Sequence, residues 1–271
     1  MENKDFRIVF GELKRYSGNN KDIVIPDEVE IISKYAFLGC KELTSVKIGS
    51  GVKKIGEGTF ACCKSLKEVT IENGEIGSIA FSDCTGLTSV KFGDGVKIGE
   101  SAFSGCIGLK EVTIENGEIG SFAFHECTGL TSVKFGDGVK VGKGAFARCE
   151  GLKEVTIENC EIGYMAFYKC AGLTSVKIDG VVTKIGGGAF GCCENLKEVT
   201  IENGEIGENA FYKCTGLKIV KIGKGVKKMG ENAFLLENMD TKVYCEASER
   251  PSTWETSLFG DVTWGVDISK V

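Results

Sequence analysis

Apolar residues recur at fixed intervals along most of this 271-residue chain. Phenylalanine stands at positions 37, 60, 81, 103, 124, 146, 167, 190, 211 and 234, with steps of 21 to 23 residues. Other residues keep step with it. Cysteine follows three residues later, from Cys40 to Cys214, and leucine six later, from Leu43 to Leu217. Valine follows nine later, from Val46 to Val220, and isoleucine or phenylalanine eleven later, from Ile48 to Ile222. Another aliphatic residue precedes the phenylalanine by five, from Ile55 to Met229. One such unit cannot bury all these side chains alone. Stacked units can, because each apolar row then lies on the same row of its neighbour. Between leucine and isoleucine the chain alternates, as in LTSVKI and LKEVTI, which is the period of a half-buried strand. Strands stacked in one direction predict a parallel sheet with rungs ~4.8 Å apart. The expected architecture is a solenoid with spines of Phe, Cys, Leu, Val and Ile.

The ends depart from the pattern, as solenoid ends must if they are to cover a core cross-section. FRIVFGELKRY alternates and predicts a hairpin, with Ile23, Val24 and Ile25 opening the first rung. After Phe234 the motif fails, and Leu235, Leu236 and Met239 replace it. Both tryptophans, Trp254 and Trp264, lie beyond that point. The expected organisation is one continuous domain: a cap and first strand over 1–28, nine to ten repeats over 29–239, and a cap over 240–271 laid on the last rung.

Composition narrows the function classes. The hydrophobic fraction of 42% supplies a core, and a net charge of −5 speaks against nucleic acid as the partner. The 38 glycines occur without a Gly/Ser tract, so they predict tight turns rather than linkers. No run of 18 apolar residues marks a membrane span. The opening MENKDFRIVFGELKRYSG lacks the apolar region of a secretory signal. Nine of the 13 cysteines share one spine position, where they read as free thiols packed as small hydrophobes. Cys62, Cys160, Cys192 and Cys245 stand outside that row, with no CxxC pair or histidine cluster to suggest zinc. Free thiols in this number favour a reducing compartment, so the cytoplasm is the expected location.

The phrase IGESAFSGCIGLKEVTI also resembles the BspA-like, or Treponema pallidum-type, leucine-rich repeat. The resemblance covers residues 22–235 in nine near-complete repeats, and both chain ends are similar to those of such proteins from gut Firmicutes. It implies a leucine-rich-repeat solenoid, a curved right-handed superhelix. Its parallel sheet would line the concave face, with short turns or helical segments on the convex face. It also implies surface proteins that bind host or bacterial partners, so a cell-surface or secreted location stands beside the cytoplasmic one. No site residues carry over from it.

Two surfaces are candidates for binding. If valine and isoleucine point inward, alternation places Lys47, Glu68, Lys91, Glu111, Glu115, Lys134, Glu154, Glu158, Lys177, Glu198 and Lys221 outward on the concave sheet. Lysine rungs then alternate with glutamate rungs, either as self-complementary pairs or as a polar docking face. The second candidate is an edge beside the spine phenylalanines, where alternate repeats carry Ile79, Phe122, Tyr164, Met165, Tyr168 and Tyr212, with His125 beside them. These should recur at ~10 Å intervals, either packed between turns or exposed as a partner site.

Nothing marks an enzyme. There is one histidine, no phosphate loop opening a helix, no HExxH and no nucleophile elbow. The GDG and ENG turns hold too few oxygen ligands for a calcium repeat, and no cofactor or metal is expected. The expected function is a non-enzymatic scaffold for protein–protein interaction, monomeric, with a protein ligand and adhesin-like binding as one form. The alternative is a structural or self-assembling repeat protein, including a consensus-like designed array.

Overall fold

The computed structural model describes residues 5–180, 184–235, 240–255 and 260–271; Leu236 and Met239 lie outside them. Alternation builds the first side of each turn. In Ser45–Ile48, Val46 and Ile48 are buried while Lys47 is exposed. The next such strand, Glu68–Ile71, pairs with it in parallel, Val46 opposite Val69 and Ile48 opposite Ile71. A two-residue strand forms the second side, as in Lys54–Ile55, which pairs in parallel with Glu75–Ile76. The segment around the spine phenylalanine closes the third side. Repeated through the described residues, this gives a parallel β-solenoid of about 12 turns.

The third side is made of stacked turns rather than helix. Each spine Phe N–H donates to a carbonyl of the following turn, from Phe37 to Thr59 at 2.8 Å through Phe211 to Ala233 at 2.8 Å. Residues two before and two after the phenylalanine take positive φ, as in Ile79 (50°), Phe122 (56°), Cys62 (59°) and Glu126 (58°). That conformation is unfavourable for residues other than glycine, most of all for a β-branched one. The inter-turn hydrogen bonds hold it in place. Among the described residues the single helical element is the 3₁₀ turn Ile268–Lys270.

The core is a set of columns. Rings from Phe37 to Phe234 stack with centroids 4.6–5.3 Å apart. The sheet repeat of ~4.8 Å lets aromatic faces meet without bending the backbone. The cysteines form a hydrogen-bonded column as well. Each Sγ from Cys63 to Cys214 donates to the Phe carbonyl of the preceding turn at 3.1–3.3 Å. A glycine follows each short strand from Lys54–Ile55 to Lys184–Ile185 because the preceding turn lies against it: a Cβ on Gly142 would sit 2.5 Å from the Ile119 carbonyl oxygen.

At the amino terminus Phe6–Val9 and Glu12–Tyr16 pair antiparallel, the hairpin that alternation predicts. Tyr16 continues the ring stack, 4.9 Å from Phe37. At the other end the fold departs from a segment laid across the last rung. Lys242–Cys245 and Asp261–Trp264 extend the same sheet in parallel. Val243 and Cys245 occupy the inward positions of that ladder, opposite Val220 and Ile222, so the segment is still a rung although its spine motif is gone. Trp254 is buried there and its indole N–H donates to the Val226 carbonyl at 3.4 Å.

Candidate binding surfaces

Register decides what the outward charges do. Lys47 stands opposite Thr70, and Glu68 opposite Ser45 and Ser89, so lysine and glutamate do not face each other across the long strands. The lysines form a central column flanked on both sides by carboxylates, and ion pairs run along diagonals or within a strand. They join Lys47 to Glu72 at 3.1 Å, Lys221 to Glu198 at 3.0 Å and Lys177 to Asp179 at 2.9 Å. Among the described residues Lys91, Lys134, Glu68, Glu111, Glu115, Glu154 and Glu158 are exposed and outside any ion pair within 4 Å.

Just after the inward Ile or Phe of the long strand, seven consecutive turns carry one acidic residue each: Glu72, Asp94, Glu115, Asp137, Glu158, Asp179 and Glu202. Asn116 and Asn159 donate to Asp94 and Asp137 at 3.2 and 2.8 Å and hold them in line. Near the end of the row, burial and the adjacent Asp179 raise the Glu202 pKa, whereas the Lys177 ammonium holds Asp179 down. Alternation already places the glutamates of this stripe outward, Glu115 and Glu158 among the candidates; its aspartates were not among them, and Asp94 and Asp137 fall in GDG turns outside the alternating segments. The readable signal was an acid in every IEN and GDG turn.

A direct lysine–glutamate ladder does exist, on the short strands. Lys54, Glu75, Lys97, Glu118, Lys140 and Glu161 follow one another in register, with Lys97–Glu75 at 3.8 Å and Lys140–Glu118 at 3.5 Å. These pairs are exposed, and each contributes under about 1 kcal/mol. They border a shallow groove of about 570 Å³ floored by Gly99, Gly120, Gly142 and Gly163.

The aromatic edge is engaged in packing between turns. The Phe122 ring lies where a Cβ on Gly144 would fall, 2.5 Å from the ring, and Met165 and Tyr168 lean on Gly188 and Gly191 in the same way. Lys143 Nζ sits 5.8 Å from both the Phe122 and Tyr164 ring centres, within cation–π range. Lys169 and Lys213 lie similarly over Tyr168 and Tyr212. Ile79, Phe122, His125, Met165, Tyr168 and Tyr212 are half-buried, while Tyr164 is exposed. His125 packs edge-on against Phe122 at 5.8 Å and lies 3.9 Å from Glu126. No cluster of metal-ligating side chains occurs among the described residues, and no helix there is long and apolar enough to cross a membrane.

Ten of the thirteen cysteines are buried. Burial pushes the Cys127 and Cys170 thiols up to about 12. Thiols held neutral and out of solvent stay reduced without help from a reducing compartment. The cysteine count therefore gives no support to a cytoplasmic location.

Among solved structures, the leucine-rich repeat protein of T. pallidum is 25% identical, with a TM-score of 0.54 over 72% of this chain and 90% of that one. A leucine-rich cell surface protein of Faecalibacterium prausnitzii is 23% identical, with a TM-score of 0.44 over 96% of this chain and 91% of that one. A leucine-rich repeat protein of Bacteroides ovatus is 22% identical, with a TM-score of 0.37 over 97% of this chain and 96% of that one. No curated relative matches the chain. The sequence model of the BspA type leucine-rich repeat region matches residues 14–118 and 117–240, in six copies. With its Phe, Cys, Leu, Val and Ile columns stacked turn on turn across both matches, the chain belongs to the BspA-type leucine-rich repeat family.

Proposed function

We propose that this protein is a non-enzymatic, monomeric scaffold that docks a protein ligand on its long-strand sheet. One observation carries the reading. The sheet presents charges that are exposed and outside any ion pair among the described residues, such as Glu111, Glu154 and Lys134, whereas the aromatic edge is already occupied by packing over Gly144, Gly188 and Gly191. Charges without partners are open to a ligand's complementary groups, which gives specificity and faster encounter. Residues 1–28 cap the first turn in this reading, and 240–271 close the last, with the repeats of 29–239 between them. Adhesin-like binding at a cell surface is its finer form, supported by the family. Self-assembly has less support, because Phe6–Val9 runs antiparallel and breaks the ladder that a head-to-tail stack would continue.

The test is affinity capture with mass-spectrometric identification, on folded wild type and two folded variants. A ligand kept by Phe122→Ser/Tyr168→Ser and weakened more than tenfold by Glu111→Lys/Glu154→Lys is the expected result. A ligand lost only from the edge variant would move the site to the edge. Absence of any saturable protein ligand would end the scaffold reading.

A further inference from the structure

We propose that residues 266–271 form a strap over one end of the docking face, and that a ligand segment of the same chemistry, a branched aliphatic side chain directly after an acid, replaces it. The inference rests on the long-strand sheet being the docking face, and it names the segment which that face accepts.

The path of the chain seats the strap on the sheet. After the last parallel strand, Asp261–Trp264, the Gly265 N–H donates to the Ala247 carbonyl at 2.9 Å and the Val266 N–H to the Cys245 carbonyl at 3.2 Å. The chain then steps back along the axis, and the 3₁₀ turn Ile268–Lys270 lies against the strand Ile219–Met229. Asp267, Ile268 and Ser269 line a cavity of about 640 Å³ together with Thr200, Glu202 and Lys221. Thr200 and Lys221 stand opposite each other at outward positions of the ladder, so the strap is on the outer face. Ile268 is buried there, outside the core columns. The column of lysines registers the cover. The Lys47 and Lys177 side chains keep 58% and 54% of their exposure, whereas Lys221 keeps 15% although its ion pair is of similar length.

The strap is lightly attached. The Asp267 carboxylate accepts from the Ser269 N–H at 3.1 Å and from its hydroxyl at 2.6 Å, and it pairs with Lys270 at 3.0 Å. The Lys270 N–H donates to the Asp267 carbonyl at 3.1 Å. Among the described residues these contacts tie residues 267–270 to one another and none ties them to the sheet. Beyond Val266 the burial of Ile268 is what holds the strap down. A segment with so few buried contacts opens at low cost, so a competitor can take its place. The turn also shows what fits. An acid capped by the residue two positions on presents the aliphatic side chain between them to the sheet.

The experiment is lysine acetylation of the full chain, read by mass spectrometry as the ratio of Lys221 to Lys177. Ile268→Asp, confirmed folded by circular dichroism, is expected to raise that ratio about threefold, in line with the 15% and 54% exposures. Asp267→Ala, which removes the cap of the turn and keeps Ile268, is expected to raise it by a smaller factor. The peptide acetyl-VDISKV-amide at about 5 mM, the scale of a tethered segment's effective concentration, is expected to return the Ile268→Asp ratio at least halfway to the wild-type value. The control acetyl-VDDSKV-amide is expected to leave it raised. A ratio unchanged in both variants would assign the cover to Tyr244, opposite Lys221 in the next strand, and overturn the strap. A raised ratio that responds to neither peptide, or equally to both, would overturn the choice of segment. Either failure leaves the scaffold reading standing, because ligand capture by the wild type and its loss in Glu111→Lys/Glu154→Lys decide that reading separately.

Discussion

Cysteine shows what a single residue does in each turn. Its offset and apolar surroundings are readable in the repeat, and packing as a small hydrophobe follows from them. Its hydrogen bond is not readable, because the acceptor, such as the Phe124 carbonyl for Cys149, belongs to the preceding turn. The column has a pH consequence. The thiols of Cys127 and Cys170 are pushed up to about 12 in the folded chain, while the unfolded value lies near 9.0. Below pH 9 both states are protonated and the full stability is present. Above it the unfolded chain loses its proton first, so stability falls as pH rises toward 12. Each such thiol costs about 1.4 kcal/mol per pH unit in that window. Thermal melts should show a steep, cooperative drop between pH 8.5 and 10.5, and a flat melting temperature there would contradict the buried, neutral column.

Glycine matters at the scale of the element, for two separable reasons. Gly142 lies outside the left-handed φ range but against the Ile119 carbonyl, where a Cβ would come within 2.5 Å. Gly138 has a φ of 75° and open space around the added carbon. Urea denaturation should therefore separate Gly142→Ala, costing about 3 kcal/mol by forcing stacked turns apart, from Gly138→Ala, costing about 1 kcal/mol through backbone conformation alone. Equal costs would mean that the close approach after the short strand is not what selects glycine. The short strands themselves were outside the sequence reading, although their alternating lysine and glutamate precede each aliphatic residue. Two residues are too few for periodicity to show a strand, and inter-turn pairing alone makes them one.

The whole molecule is close to one-dimensional, since each turn hydrogen-bonds to the turns before and after it. Substitutions far apart along the axis share no partner. Phe81→Ala and Phe211→Ala should each cost about 3–5 kcal/mol, and the double variant should equal their sum within about 0.5 kcal/mol if unfolding stays two-state. A larger coupling would reveal a cooperative unit spanning many turns. A loss of coincidence between fluorescence and circular dichroism would instead show the halves unfolding separately.

The sequence by itself determined the repeat, the inward columns and the amino-terminal hairpin, because those follow from local periodicity and from apolar rows that no single unit can bury. Only the tertiary structure decided which charges meet. Register placed Lys47 beside Thr70, drew the carboxylates into a stripe, moved the direct lysine–glutamate ladder to the short strands, and laid Phe122 over Gly144. It also made the carboxy-terminal segment a continuation of the sheet. A one-residue difference in pairing changes every cross-turn neighbour while leaving the linear pattern unchanged. The spines were therefore legible in the chain, and the pattern of surface charge was set by stacking.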